Sequence, residues 1–136
     1  MLGTRTWIVW IGTLVALVTG AVFSATLAIA AKRHTEFDDA RASALGALTE
    51  ARQAEAERWA RASFEEAEGA FRAADSLHTI EDARFVLPPD FSRAIDQLEY
   101  AQDADERAVE TALFEKAWAQ LRARLKSAKS ARPGPG

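Results

Sequence analysis

From Thr6 to Ala31 the chain runs 26 residues without a charge, and beyond Glu36 polar and apolar positions alternate with helical spacing almost to the C-terminus. An uncharged apolar run of this length spans a bilayer core of about 30 Å with residues to spare for tilt. Within it Gly12, Ala16, Gly20, Ser24 and Ala28 recur at every fourth position. Side chains four apart stack along one side of a helix, and small ones let a second helix approach closely inside lipid. The pattern predicts a transmembrane anchor over 1–34 with a packing face for a membrane neighbour.

A cleaved signal peptide competes for the same residues. Arg5 supplies a positive start, and Ala28-Ile29-Ala30 offers a small-residue cleavage site before Ala31. The apolar run exceeds the usual 7–15 residues of a signal core, which favours a retained anchor.

Lys32-Arg33-His34 marks the exit from the apolar segment. Thr35, with Glu36, Asp38 and Asp39 behind it, has the chemistry of a helix start. A first soluble helix is predicted over about 35–78. Ala40, Ala44, Ala47, Ala51 and Ala54 form an alanine seam along it, and Ala60, Phe64, Ala67, Phe71, Ala74 and His78 continue the same alternation of three and four. Pro88-Pro89-Asp90 cannot continue a helix, because proline lacks a donor and crowds the preceding turn. The turn is therefore set at 79–90, with Phe85, Val86 and Leu87 tucked back onto the helix ends and Asp90 as the next N-cap. A second helix is predicted over 91–129, its stripe opened by Phe91, Ile95 and Leu98 and closed by Phe114, Trp118, Leu121 and Leu125. Residues 131–136 form a frayed tail.

Composition narrows the fold. Alanine accounts for 30 of the 136 residues, and large apolar residues are sparse after position 36. Such a chain builds narrow, closely packed helices rather than a thick core. There is no Cys, so disulfides and thiolate metal sites are excluded. The net charge of −3 is unevenly spread: all 20 acids lie between Glu36 and Glu115 against eight Arg, and Lys116 to Arg132 holds six bases and no acid.

Two resemblances follow from these residues. Phe64, Ala67, Phe71 and Ala74, matched after the proline turn by Phe91, Ala94, Leu98 and Ala101, resemble the Ala/Glu-rich helical hairpins of bacterial envelope proteins. That likeness implies export to the periplasm, although the lipobox cysteine of the lipoproteins among them is missing. The N-terminal membrane helix followed by Ala/Glu/Arg-rich helix is also similar in architecture to the peripheral-stalk b subunit of ATP synthase. The Pro88-Pro89 break departs from its single long helix.

Catalytic chemistry finds little to use. The chain has two His and one Tyr, no glycine-rich phosphate loop and no assembled nucleophilic set. Asp75, His78, Glu81 and Asp82 have metal-ligand character, but carboxylate-bridged metal bundles need several Glu and two Glu-x-x-His motifs. Glu65-Glu66 and Asp105-Glu106 read as solvated faces. No enzyme activity, cofactor or metal is expected. The basic end, with Trp118, Arg122, Arg124, Lys126 and Lys129, reads as a membrane-surface or partner contact. Nucleic acid is excluded by the acidic body.

The expected protein is all-α: an N-terminal single transmembrane helix followed by a long antiparallel two-helix hairpin over 35–130, with Phe64, Ala67, Phe71, Ala74, Phe91, Ile95 and Leu98 in the seam. Its partners are membrane lipid and an integral membrane protein or a second copy, and its role is that of a bacterial accessory scaffold, a coiled-coil subunit of the inner membrane. A secreted periplasmic helical protein released after signal-peptide cleavage, or a peripheral-stalk-like subunit, is the alternative. Lys32, Arg33 and Arg41 after the span, against Arg5 before it, favour a cytoplasmic body, whereas the envelope likeness favours the periplasm. In this hairpin the second helix returns to the bilayer, bringing Lys129 close to Lys32.

Overall fold

The computed structural model describes residues 2–84, 88–132 and 134, and within them every regular element is an α-helix: α1 (Leu2–Gln53), α2 (Ala56–Trp59), α3 (Arg61–Ala83) and α4 (Ser92–Ser130). Helix α1 is continuous from the apolar segment into the polar body, so no new helix begins at Thr35. The Thr35 hydroxyl instead donates to the Ala31 carbonyl at 3.0 Å, in the middle of an unbroken ladder. At 1.5 Å per residue α1 extends about 78 Å.

The helix predicted over 35–78 is broken. Glu55 adopts φ 60°, the only described non-glycine residue with positive φ, and Ala60 adopts φ −139°. Between them lies only the single turn of α2, and the chain folds back. The antiparallel pairing of α1 and α3 follows from their contacts: Phe37 stacks on His78 at 4.0 Å, Arg41 binds Asp75 at 2.9 Å and Arg52 binds Glu68 at 3.1 Å. Neither Gly nor Pro marks this reversal. It is imposed by packing: a straight helix would leave Leu48 and Phe64 far apart, whereas the fold-back brings both into one cluster with Ala51, Ala56, Ala60, Ala108 and Ala112.

Helix α4 then lies against both. His34 meets Phe91 at a ring separation of 4.9 Å, Ser43 bonds Gln102 at 2.9 Å, and Glu55 bonds Lys116 at 2.6 Å. Residue numbers rise together along this series, so α4 runs parallel to α1 and antiparallel to α3. The polar body is thus a three-helix bundle, not the predicted two-helix hairpin. The basic end of α4 consequently lies at the opposite end of the bundle from Lys32, which overturns the expected approach of Lys129 to Lys32.

Two apolar clusters fill the bundle. Phe37, Ala44, Ala74, Phe91, Ala94 and Leu98 occupy the end nearest the apolar segment, and the Leu48–Phe64 cluster occupies the distal end. Alanine at most seam positions lets the axes approach closely, and the few large side chains fill what remains. Helix α3 continues to Ala83, shortening the predicted turn; Phe85, Val86 and Leu87 lie outside the described residues, as do three of the six predicted tail residues. The N-cap of α4 is Phe91 rather than the expected Asp90; Asp90, one residue earlier, accepts the Ser92 amide through Oδ1 at 3.1 Å. That bond, first, and the nearby Arg33 guanidinium hold its carboxyl below the usual range.

Candidate functional site

Three regions of the chain carry unusual surface or burial, and they lie at successive heights along its length. The first is the N-terminal half of α1. One segment there is long and apolar enough to cross a membrane by length and composition. Trp7 is 72 % and Trp10 73 % exposed, and Gly12, Ala16, Gly20, Ser24 and Ala28 are exposed as well. A Cβ added at Gly12 or Gly20 would meet nothing within 4 Å, so no described residue packs on the small-residue face at these two positions. Thr13, Thr19 and Thr26 donate to carbonyls one turn back at 2.7–2.8 Å, which satisfies each hydroxyl inside the helix that carries it.

The second region is the junction of α1, α3 and α4. His34, Phe37, His78 and Phe91 form an aromatic cluster with centroid separations of 4.0 to 6.1 Å. Arg33 donates to the Pro89 carbonyl at 2.7 Å, fastening the proline turn to α1 just after the apolar segment. This fastening was hidden in the sequence, because it joins residues 56 positions apart. The metal-ligand candidates are dispersed by their contacts: Asp75 turns to Arg41, Glu81 to Arg84, Asp82 to His34, and His78 stacks on Phe37. Among the described residues no group of three or more His, Asp or Glu side chains is placed to hold a metal ion. The bidentate Asp75 contact raises the Arg41 pKa further above its ordinary value.

Of the hairpin-seam residues Phe64, Ala67, Phe71, Ala74, Phe91, Ile95 and Leu98, the last five share one apolar cluster, whereas Phe64 belongs to the distal one. Phe64, Ala67, Ala74, Phe91 and Leu98 are buried, and Phe71 and Ile95 border the cluster nearest the apolar segment. One member of this core departs from the solvated face expected of Asp105-Glu106. Asp105 is 2 % exposed, with Oδ1 lacking any hydrogen-bond partner, and burial pushes its pKa up to about 6. The signal was available: Phe91, Ala94, Leu98, Ala101, Asp105, Ala108 and Ala112 follow strict three-four alternation, so Asp105 falls on a core position. It lies between the two apolar clusters.

The third region is the distal part of α4. Leu113, Phe114, Trp118, Leu121 and Leu125 are 45–66 % exposed, and from Leu121 to Arg132 every residue is exposed. Arg122 lies over the Trp118 ring at 5.7 Å, and Arg124, Lys126 and Lys129 project around the same segment. The stripe does not continue the core face, as a single run along the helix would have required. Extending the core register beyond Ala112 reaches Glu115, Ala119, Arg122 and Lys126, whereas the apolar residues stand one position earlier. One residue is about 100° around a helix, so the two apolar faces point in different directions.

Between α1 and α4 runs an open groove of about 420 Å³, floored by Gly46, Ala47 and Val109 and rimmed by Glu50, Glu106 and Glu110. Ser43 and Gln102 complete its polar lining, and the Ser43 hydroxyl donates to Gln102 Oε1 at 2.9 Å. No protein family, curated protein or solved structure matches this chain.

Proposed function

We propose that the chain is a single-pass, membrane-anchored helical scaffold, an accessory or stabilising subunit that holds a bundle at a fixed height above the inner membrane. The observation that carries this reading is the continuity of α1. An apolar stretch with Trp7, Trp10 and their neighbours bare within the chain runs without a break into a packed polar bundle. So large an apolar surface is costly in water and is stabilised by lipid or by a membrane neighbour. The small-residue ladder fits the second of these, and Lys32, Arg33 and Arg41 support a cytoplasmic bundle.

Removal of the N-terminal segment as a signal peptide, releasing a periplasmic helical protein, is the competing reading. Alkaline extraction of membranes followed by intact mass separates the two. The scaffold reading expects the full 14.8 kDa chain in the extracted membrane fraction. A soluble protein lacking its first 30 residues, cut before Ala31, would refute it.

A further inference from the structure

The distal part of α4 repeats apolar residues with a heptad's spacing. Phe114, Trp118, Leu121 and Leu125 are separated by four, three and four positions, and all four are exposed. With Trp118 and Leu125 at a, and Phe114 and Leu121 at d, the flanking e and g positions of the outer heptads are Arg122, Arg124, Lys129 and Ala131. Flanking charges choose the partner of such a seam. We propose that this segment is a second, unfilled helix-packing seam whose occupant is an amphipathic helix of another protein with acidic flanking positions.

Three observations select that occupant. A second copy of this chain would bring Arg124 against Lys129 in a parallel pair, or each basic flank against its twin in an antiparallel one. Both arrangements set positive charge on positive charge. The one acid among the flanks, Glu115, lies at the bundle end and is half-buried. A lipid surface is disfavoured by geometry, because a basic amphipathic helix binds a bilayer by lying in its plane. Here α4 is held by the bundle over Phe91 to Ala112, and laying it flat would bring the acidic bundle onto the same anionic surface. A helix standing beside α4 meets neither obstacle. Its acidic flanks would face Arg122, Arg124 and Lys129 while its apolar edge covers Trp118 and Leu121. This proposal rests on the scaffold reading only for where the partner stands.

The test uses the full chain in neutral detergent micelles, so it reads the seam whether or not α1 spans a bilayer. The probes are two synthetic heptad peptides about 28 residues long with Leu at a and d, one carrying Glu and the other Lys at e and g. The Glu peptide is expected to bind at least about tenfold more tightly than the Lys peptide, with the difference shrinking as salt rises toward about 0.5 M. Leu121→Glu should abolish binding. The triple variant Arg122→Glu, Arg124→Glu, Lys129→Glu should invert the preference while leaving the melting curve of the bundle in place, since these side chains are exposed. Equal binding of the two peptides, or an unchanged preference in the triple variant, would overturn the proposal. So would dimerisation of the chain alone that Leu121→Glu removes. Flotation of the chain, held in neutral nanodiscs, with vesicles of anionic phosphatidylglycerol in the absence of peptide binding would overturn it in favour of lipid.

Discussion

Lys116 donates to the Glu55 carboxylate at 2.6 Å, pinning α4 to the bend between α1 and α3 at the level where α4 leaves the bundle. The bond holds the Glu55 carboxyl below its usual pKa. A depressed carboxylate contributes stability that is present above its unfolded pKa and is lost as pH falls through the folded value. Glu55 also occupies the left-handed region, which disfavours any residue with a Cβ. Glu55→Ala therefore loses the pair and keeps the backbone cost, whereas Glu55→Gly loses the pair and removes that cost. Glu55→Gly should melt roughly 4–8 °C above Glu55→Ala in thermal scans followed by circular dichroism.

Asp105 predicts an opposite dependence on pH. Its folded pKa of about 6 lies above the ordinary aspartate value of 3.8. Below both values the carboxyl is protonated in either state and carries no penalty. As pH rises from about 4 to about 6 the unfolded chain ionises first, and the bundle loses stability. Asp105→Asn should remove this slope and gain about 1–3 kcal/mol at pH 7.5. Urea titrations at pH 4, 5, 6 and 7.5 on both proteins check it, and parallel slopes would contradict it.

The alanine seam should tolerate neither more nor less volume. Leu98 is 1 % exposed, so Leu98→Ala leaves a cavity costing about 2–5 kcal/mol. Ala108 is fully buried where α4 meets the Leu48–Phe64 cluster, and Ala108→Leu forces the helices apart at about 1–3 kcal/mol. Both changes are measurable as lower urea midpoints with unaltered m-values.

Arg41 and Asp75 join α1 to α3 through two bonds at 2.9 and 3.2 Å, and Arg41 also lies over Phe71 at 5.2 Å. Both side chains are 42 % exposed, so solvent discounts the pair. A double-mutant cycle of Arg41→Ala and Asp75→Ala should give a coupling of about 0.5–1 kcal/mol, smaller at high salt.

Helical content and the core positions were legible because heptad spacing reports them directly. The seams through Ala44 and Ala51, Phe64 and Ala74, and Phe91 and Leu98 all recur in the bundle. The reversal at Glu55 was not legible. Gln53-Ala54-Glu55-Ala56 is good helix sequence, and the break exists only because α3 and α4 complete a core that α1 alone cannot. With that reversal hidden, the direction of α4 came out inverted, and with it the height of Arg122, Arg124 and Lys129. Asp105 was missed because charge was weighed before register. The change of face after Ala112 was equally readable, since the apolar residues slip one position against the core heptad.

The unbroken course of α1 has a mechanical consequence. With no joint between the apolar segment and the bundle, the two turn as one shaft. Whatever would fix the rotation of Gly12 and Gly20 would also fix the compass bearing of Trp118, far up the molecule on another helix. Inserting one alanine beside Lys32 would swing that bearing by about 100°, and inserting seven would return it nearly to its starting direction while raising it by about 10 Å. Apolar segment and bundle thus share a phase as well as a length.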